Sequence, residues 1–217
     1  MIEFQNVSYA HSKGYGVSNL NLSMTDGEFA FLIGPTGSGK TTLMRLVYFD
    51  LLPDTGQVKV NGFFSNKISK RHIPTARRSI GMVFQDYKLL SDRTLFENIS
   101  LPLHVLGFKT KEIKSRVEEV LDLVGLLGKE DHFSIELSGG EQQRACLARA
   151  IIKEPDVILA DEPTGNLDPV ASFELVRLLE TINETGTTIL MASHNYSLIK
   201  GRGKPIYELK DGILRVR

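Results

Sequence analysis

The sequence predicts an α/β fold built around a parallel sheet, and three observations carry that expectation. Short apolar runs at 28–33, 156–160 and 187–192 have the length and composition of buried strands. Segments of helical periodicity at 40–49, 139–153 and 170–185 alternate with them. A glycine-rich loop at 34–41 joins the first run to the helix behind it. Such alternation is the pattern of a sheet whose parallel strands are covered by helices.

The remaining elements follow in order. Residues 2–8 and 19–24 alternate as strands do, and Thr25, Asp26 and Gly27 read as a turn. A second turn is expected at 53–56, a strand at 57–60 and a turn at Asn61 and Gly62. The strands at 2–8, 19–24 and 57–60 look like an antiparallel flank. Residues 63–79, with Arg71, His72, Arg77 and Arg78, read as a solvated polar surface. Residues 79–84 form another strand, which ends at Gln85. Residues 86–135 read as mostly helical, with 111–124 the clearest amphipathic element. They interrupt the strand rhythm and are expected to form a helical subdomain inside a single domain spanning 1–217. Residues 207–215 resemble a terminal hairpin.

Composition narrows the function. The chain has 26 basic and 26 acidic residues, so no overall basic excess points to nucleic acid, and none is expected as a partner. The one cysteine, Cys146, excludes an intrachain disulfide and a multi-cysteine metal site. Its apolar helical surroundings point to packing. No run approaches the roughly 18 apolar residues that span a bilayer. Met1-Ile2-Glu3-Phe4 begins directly as a strand, so no secretory leader is expected. The expectation is a soluble, intracellular chain whose membrane role, if it has one, comes through a partner.

The loop Gly34-Pro35-Thr36-Gly37-Ser38-Gly39-Lys40-Thr41 matches G-x-x-x-x-G-K-[ST] in full, with a buried strand before it and a helix after it. Its glycines allow a tight turn that exposes backbone N–H groups to phosphate oxygens at a helix N-terminus. Lys40 is expected to reach the β and γ phosphates, Thr41 to coordinate magnesium, and Thr42 to add a phosphate contact. The apolar strand 157–160 runs straight into Asp161 and Glu162. A carboxylate at a strand mouth is costly to bury without a partner. Magnesium and its waters would partner Asp161, and Glu162 is placed to polarise an attacking water. No Asn-Lys-x-Asp sequence is present, which argues against a guanine-reading GTPase.

Leu137-Ser138-Gly139-Gly140-Glu141-Gln142-Gln143-Arg144 opens a second helix of anion-binding character. One chain thus carries two phosphate-seeking helix starts. From this segment alone, an ordinary N-cap and a second phosphate contact both remain open.

With GPTGSGKT at 34–41, Gln85, LSGGEQQR at 137–144, VILADE at 157–162, NLD at 166–168 and His194 in this order, the sequence resembles the nucleotide-binding subunits of ABC transporters. The likeness covers essentially the whole chain. It implies a phosphate-loop ATPase with a RecA-like parallel-sheet core, an antiparallel β flank and an inserted helical subdomain. In that family two subunits pack head to tail. By the resemblance Ser138, Gly139 and Gly140 would contact the γ phosphate held by the opposite chain. Gln85 would sense magnesium and the attacking water and link the site to the helical subdomain. Glu162 would be the general base, His194 would contact the γ phosphate and orient the water, and Asp168 would bridge the subunits. ATP and magnesium are the implied cofactors. The implied partners are a second copy and an integral membrane protein, at the cytoplasmic face of the cell membrane.

Two departures from the family pattern stand out. The aromatic ring that stacks on adenine falls at His11, with Tyr9 or Tyr15 as substitutes and Val17 on the ribose side. The acid that follows the switch histidine is Asn195 here. Within the family, residues 83–99 and Leu101-Pro102-Leu103 resemble the cell-division branch, with Asp92-Arg93-Thr94 the better discriminator. Residues 161–168 fit lipoprotein-releasing and macrolide-exporting relatives equally well. DNA-acting relatives carry long inserts that 217 residues do not hold. Phe84, Tyr87, Leu89, Leu90 and Phe96 either dock a partner helix or fill the subdomain core.

Overall fold

The computed structural model describes residues 1–11 and 16–216. In chain order, β1 is Ile2–Ala10, β2 Gly16–Met24, β3 Phe29–Ile33, α1 Lys40–Val47, β4 Thr55–Val60 and β5 Phe63–Phe64. Then come α2 Ile73–Arg78, β6 Ile80–Val83, α3 Leu95–Leu106, α4 Thr110–Leu123, a 3-10 turn at Ser134–Glu136 and α5 Gly139–Ile151. The chain closes with β7 Val157–Asp161, α6 Pro169–Glu184, β8 Thr188–Ser193, α7 Tyr196–Ile199, β9 Ile206–Lys210 and β10 Ile213–Val216.

The strands form two sheets. One is antiparallel, in the order β2-β1-β4-β5, and is the expected flank. The other runs β10-β9-β3-β8-β7-β6, parallel from β9 to β6 with β10 antiparallel at its edge. The pleat sends alternate residues of a strand to opposite faces. Phe29, Phe31, Ile158, Ala160, Ile189 and Met191 join one apolar layer with the helices α3 to α6. Ala30, Leu32, Val157, Leu159, Leu190 and Ala192 join the other, with α1 and the flank. Both faces of the parallel sheet are therefore covered, which explains why its strands read as continuous apolar runs.

Several boundaries differ from expectation. β4 begins at Thr55 and takes two residues from the expected turn. At Gly56 (φ +79°) an added Cβ would lie 2.3 Å from the Asn6 carbonyl oxygen, so β1 approaches too closely for a side chain. Residues 63–79 are not merely solvated surface. They contain β5 and α2, Ala76 is fully buried, and the buried Ser65 hydroxyl accepts from the Val58 N–H at 2.9 Å. Helix does not resume at 86, because 86–94 is irregular and α3 starts only at Leu95. Thr94 and Glu97 close a reciprocal capping box there, with Thr94 N–H donating to Glu97 Oε2 at 2.9 Å. The short helix α7 has no counterpart in the sequence reading. Asn195 caps it by accepting from Ser197 N–H at 3.2 Å.

Cys146 is fully buried on α5, and burial pushes its thiol up. Leu89 and Phe96 pack against the helical layer while Leu90 is exposed.

Candidate nucleotide-binding and hydrolysis site

Four chain segments meet at the carboxyl ends of adjacent parallel strands, where open α/β sheets bind ligands. Gly34 follows β3, Gln85 lies just beyond β6, Asp161 ends β7 and His194 follows β8. The register aligns them: Ile33 pairs with Ser193, Asp161 with Ala192 and Val83 with Ala160.

The loop from Gly34 leads into α1, whose first residue is Lys40. Gly39 precedes it with φ +105°, and an added Cβ there would lie 2.7 Å from Val17 Cγ1. Val17 thus packs directly beneath the loop. Lys40 is almost fully buried, and its Nζ donates to the carbonyls of Gly34 at 2.7 Å and Pro35 at 3.2 Å. The same ammonium stands 3.2 Å from Glu162 Oε1.

Glu162 takes a left-handed backbone (φ +49°), uncommon for a residue with a side chain. Its N–H donates to the Ala192 carbonyl at 3.1 Å. The turn aims its carboxylate into the cleft, where Oε2 lies 2.7 Å from His194 Nδ1 and accepts from the His194 N–H at 3.2 Å. Glu162 is therefore held between Lys40 and His194.

Asp161 is more enclosed. Burial pushes its carboxyl up, a hydrogen bond with Thr41 pulls it down, and the neighbouring charge of Glu162 pushes it up again. Its Oδ1 is buried with no hydrogen-bond partner. An orphaned carboxylate oxygen beside a threonine hydroxyl is a donor set that suits a hard divalent cation such as magnesium.

A cleft of about 340 Å³ is lined by His11, Thr36, Gly37, Gly39, Lys40, Thr41, Thr42, Gln85, Glu162 and His194, among others. His11 Nε2 is 3.0 Å from Thr42 Oγ1, and the ring meets Tyr9 edge-on at 4.9 Å. Tyr9, Val17, Pro35 and Ser38 line an adjoining hollow, and Asp161 shares another with Thr41 and Gln85. Tyr15 lies outside the described residues. The structure thus brings most of the expected phosphate-site residues together. Ser138, Gly139, Gly140 and Asp168 line none of these three spaces.

Ser138 is the N-cap of α5 and shares a capping box with Glu141, its N–H donating to Glu141 Oε2 at 2.8 Å. The Lys129 ammonium and the Ser138 hydrogen bonds hold the Glu141 carboxyl at about 2. Asp168 caps α6, accepting from the N–H groups of Val170 at 2.8 Å and Ala171 at 3.0 Å. Residues given no role of their own in the sequence reading also shape the site. Asn166 Nδ2 donates to the Gln85 carbonyl at 3.2 Å, and Gly165 sits against the Gln85 amide. Asn166 lies inside the NLD motif, so its position was visible although its partner was not.

A phosphate loop, an acidic strand end and a histidine at the mouths of adjacent parallel strands define a phosphate-loop nucleoside triphosphatase. The family model described as "ABC transporter" matches residues 17–165, and the chain belongs to that family. It is 47% identical over 213 residues to the cell division ATP-binding protein FtsE of Streptococcus pneumoniae serotype 2, covering 98% of this chain and 93% of that one. It is 44% identical over 215 residues to FtsE of Escherichia coli K12, covering 99% and 97%. Its fold is similar to the dimeric ATP-binding cassette MJ0796 in a post-hydrolysis state bound to ADP and Pi. The TM-score is 0.91 at 32% identity, with 100% and 98% of the two chains covered. The chain is an ATPase. No helix among the described residues is long and apolar enough to cross a membrane.

Proposed function

We propose that two copies of this chain bind ATP between them, head to tail, and hydrolyse it to drive a membrane partner in cell division. One observation carries the two-copy arrangement. The cleft that gathers Lys40, Gln85, Glu162 and His194 includes none of Ser138, Gly139 and Gly140, although these open a helix of the same anion-binding kind. A second copy would bring its own signature over the cleft.

In this reading the N–H groups of 34–42 cradle the phosphates, and Lys40 leaves Glu162 for the β and γ oxygens. His11 or Tyr9 stacks on adenine, with Val17 beneath the ribose side. Thr41, Asp161 and Gln85 would hold magnesium, which supplies neutralising charge to the phosphates when bound. Glu162 accepts a proton from the attacking water, and His194 orients that water from the γ-phosphate side. Asp168 meets the partner copy near the interface while capping its own helix. ATP closes the pair, and hydrolysis releases it through the different affinities of ATP and ADP for the closed state.

Residues 86–135 carry the motion as a subdomain, since they follow Gln85 directly. The partner is an FtsX-like integral membrane protein, and the shape change is passed to cell-wall hydrolases. The chain then sits peripherally at the cytoplasmic face of the membrane. Likeness to proteins named FtsE supports this over an exporter or lipoprotein-release role.

Mixing Lys40→Ala with Gly139→Asp chains tests the shared site. Each variant alone is inactive at both sites, whereas the mixed pair has one intact composite site, so mixing restores ATPase activity. If mixing restores nothing, the head-to-tail reading fails. Capture of membrane proteins by Glu162→Gln with ATP tests the partner. An FtsX-like protein is expected, and recovery of a transport permease instead would overturn the division reading.

A further inference from the structure

The loop that carries Gln85 is tied down almost carbonyl by carbonyl, and two of its ties come from one arginine. Tyr87 (φ +55°) and Lys88 (φ +50°) are consecutive residues in the left-handed region, a conformation that costs energy in residues with a Cβ. Arg149 on α5 donates from Nη1 to the Lys88 carbonyl at 2.6 Å and from Nη2 to the Tyr87 carbonyl at 3.0 Å. Its guanidinium fork spans the kink that the two residues make.

The other ties fix the ends. Gln143, also on α5, donates to the Phe84 carbonyl at 3.3 Å, and Asn166 to the Gln85 carbonyl at 3.2 Å. The fully buried Asn98 of α3 accepts from Leu90 N–H at 2.7 Å and donates to its carbonyl at 3.0 Å. Tyr87 also reaches the start of α5, where a Cβ added to Gly139 would lie 3.1 Å from its hydroxyl. Gly139 and Arg149 are about 15 Å apart along the helix. Tyr87 therefore meets α5 twice, its hydroxyl close to Gly139 and its carbonyl bonded to the Arg149 side chain.

We infer that Arg149 is a positioning residue that yokes the signature helix to the Gln85 loop of the same chain. Movement of α5 when the signature meets a nucleotide is passed through the Arg149 fork to residues 87 and 88, and so to Gln85. Arg149 touches no reacting atom. It holds the strained turn that sets where the Gln85 amide stands. This rests on the role given to Gln85 above.

The test is a double-mutant cycle on the full chain, with steady-state ATPase for Arg149→Ala, Gln85→Ala and the pair. Arg149→Ala is expected to lower kcat roughly tenfold, the size of one lost coupling, with KM for ATP unchanged. In the Gln85→Ala background the same change should alter kcat by less than about twofold. Full additivity, or a rise in KM alone, overturns the yoke. Amide hydrogen exchange at 86–90 provides a second readout. It should quicken in Arg149→Ala while β7 and β8 keep their protection, and unchanged exchange overturns the proposal. If Gln85→Ala alone leaves kcat intact, the Gln85 reading and the link to turnover fall, while the exchange result still decides whether Arg149 holds the loop. Arg149→Lys, which keeps the charge but loses the fork, replaces the alanine variant if that does not fold, and should show a fall in kcat of the same direction.

Discussion

Lys40 Nζ stands 3.2 Å from Glu162 Oε1, with both side chains largely buried. The residue proposed to hold phosphate and the residue proposed to act on water form an ion pair with each other. In the proposed mechanism ATP competes with this carboxylate for the lysine, and Glu162 is freed to act on water when Lys40 is taken up by phosphate.

Glu162→Gln tests both halves of that competition. Removing the charge weakens the hold on Lys40 and the proton acceptor together. ATP affinity should rise roughly fivefold, about 1 kcal/mol, since Lys40 keeps its two carbonyl partners when the carboxylate charge is removed. Turnover should fall by a factor on the order of 10² to 10⁴, the usual contribution of a general base. Fluorescent-nucleotide titration and single-turnover hydrolysis measure the two. Weaker ATP binding would show that the ion pair does not oppose nucleotide.

His194 is mostly exposed, yet its Nδ1 lies 2.7 Å from Glu162 Oε2. Its side chain orients the carboxylate from the side opposite Lys40. His194→Ala should lower kcat at least about tenfold while nucleotide affinity changes little. A loss of affinity with kcat unchanged would instead mark His194 as a binding residue only. The backbone bond from His194 N–H to Glu162 survives the substitution, so the fold should hold.

The fold was legible because burial on both sheet faces leaves a plain apolar signature in β3, β7 and β8. The phosphate loop was legible because glycine spacing and Lys40 leave little freedom. The misses have physical causes. β5 is two residues long, and α7 is a single turn set by the Asn195 cap, too short for any periodicity to register. The irregular 86–94 read as helical because no proline or glycine marks it. Its shape comes from Arg149 and Asn166, which lie far along the chain, and from Asn98 in the first turn of α3. The Lys40–Glu162 ion pair was likewise invisible, since it depends on the left-handed turn at Glu162.

Gly165 offers a substitution that moves Gln85 without touching it. A Cβ there would lie 3.0 Å from Gln85 Nε2 and 3.3 Å from the Glu162 carbonyl oxygen. The amide end is flexible and can yield, so Gly165→Ala should shift the thermal midpoint by only a few degrees. Displacing the Gln85 amide should still lower kcat, by roughly threefold to tenfold. A variant with unchanged kcat would show that turnover does not depend on where this amide stands.

Lys153 gives a prediction about stability that involves no nucleotide. Its Nζ donates to the carbonyls of Arg77 and Ile80, both at 2.7 Å, and burial lowers its pKa to about 8. Among the described residues no carboxylate pairs with it in an ion pair. Between about pH 8 and the ordinary lysine value, the unfolded chain binds more protons than the folded one. Stability should therefore rise with pH through that window, and below about pH 8 the cost of burying the ammonium is carried in full. The gain reaches at most about 3 kcal/mol and is reduced where the two carbonyls favour the charged form. Lys153→Met lacks this titration. Denaturant unfolding of both proteins from pH 7.5 to 10 should show the native chain gaining on the variant as pH rises. Parallel stability curves would mean that the ammonium is as well solvated in the fold as outside it.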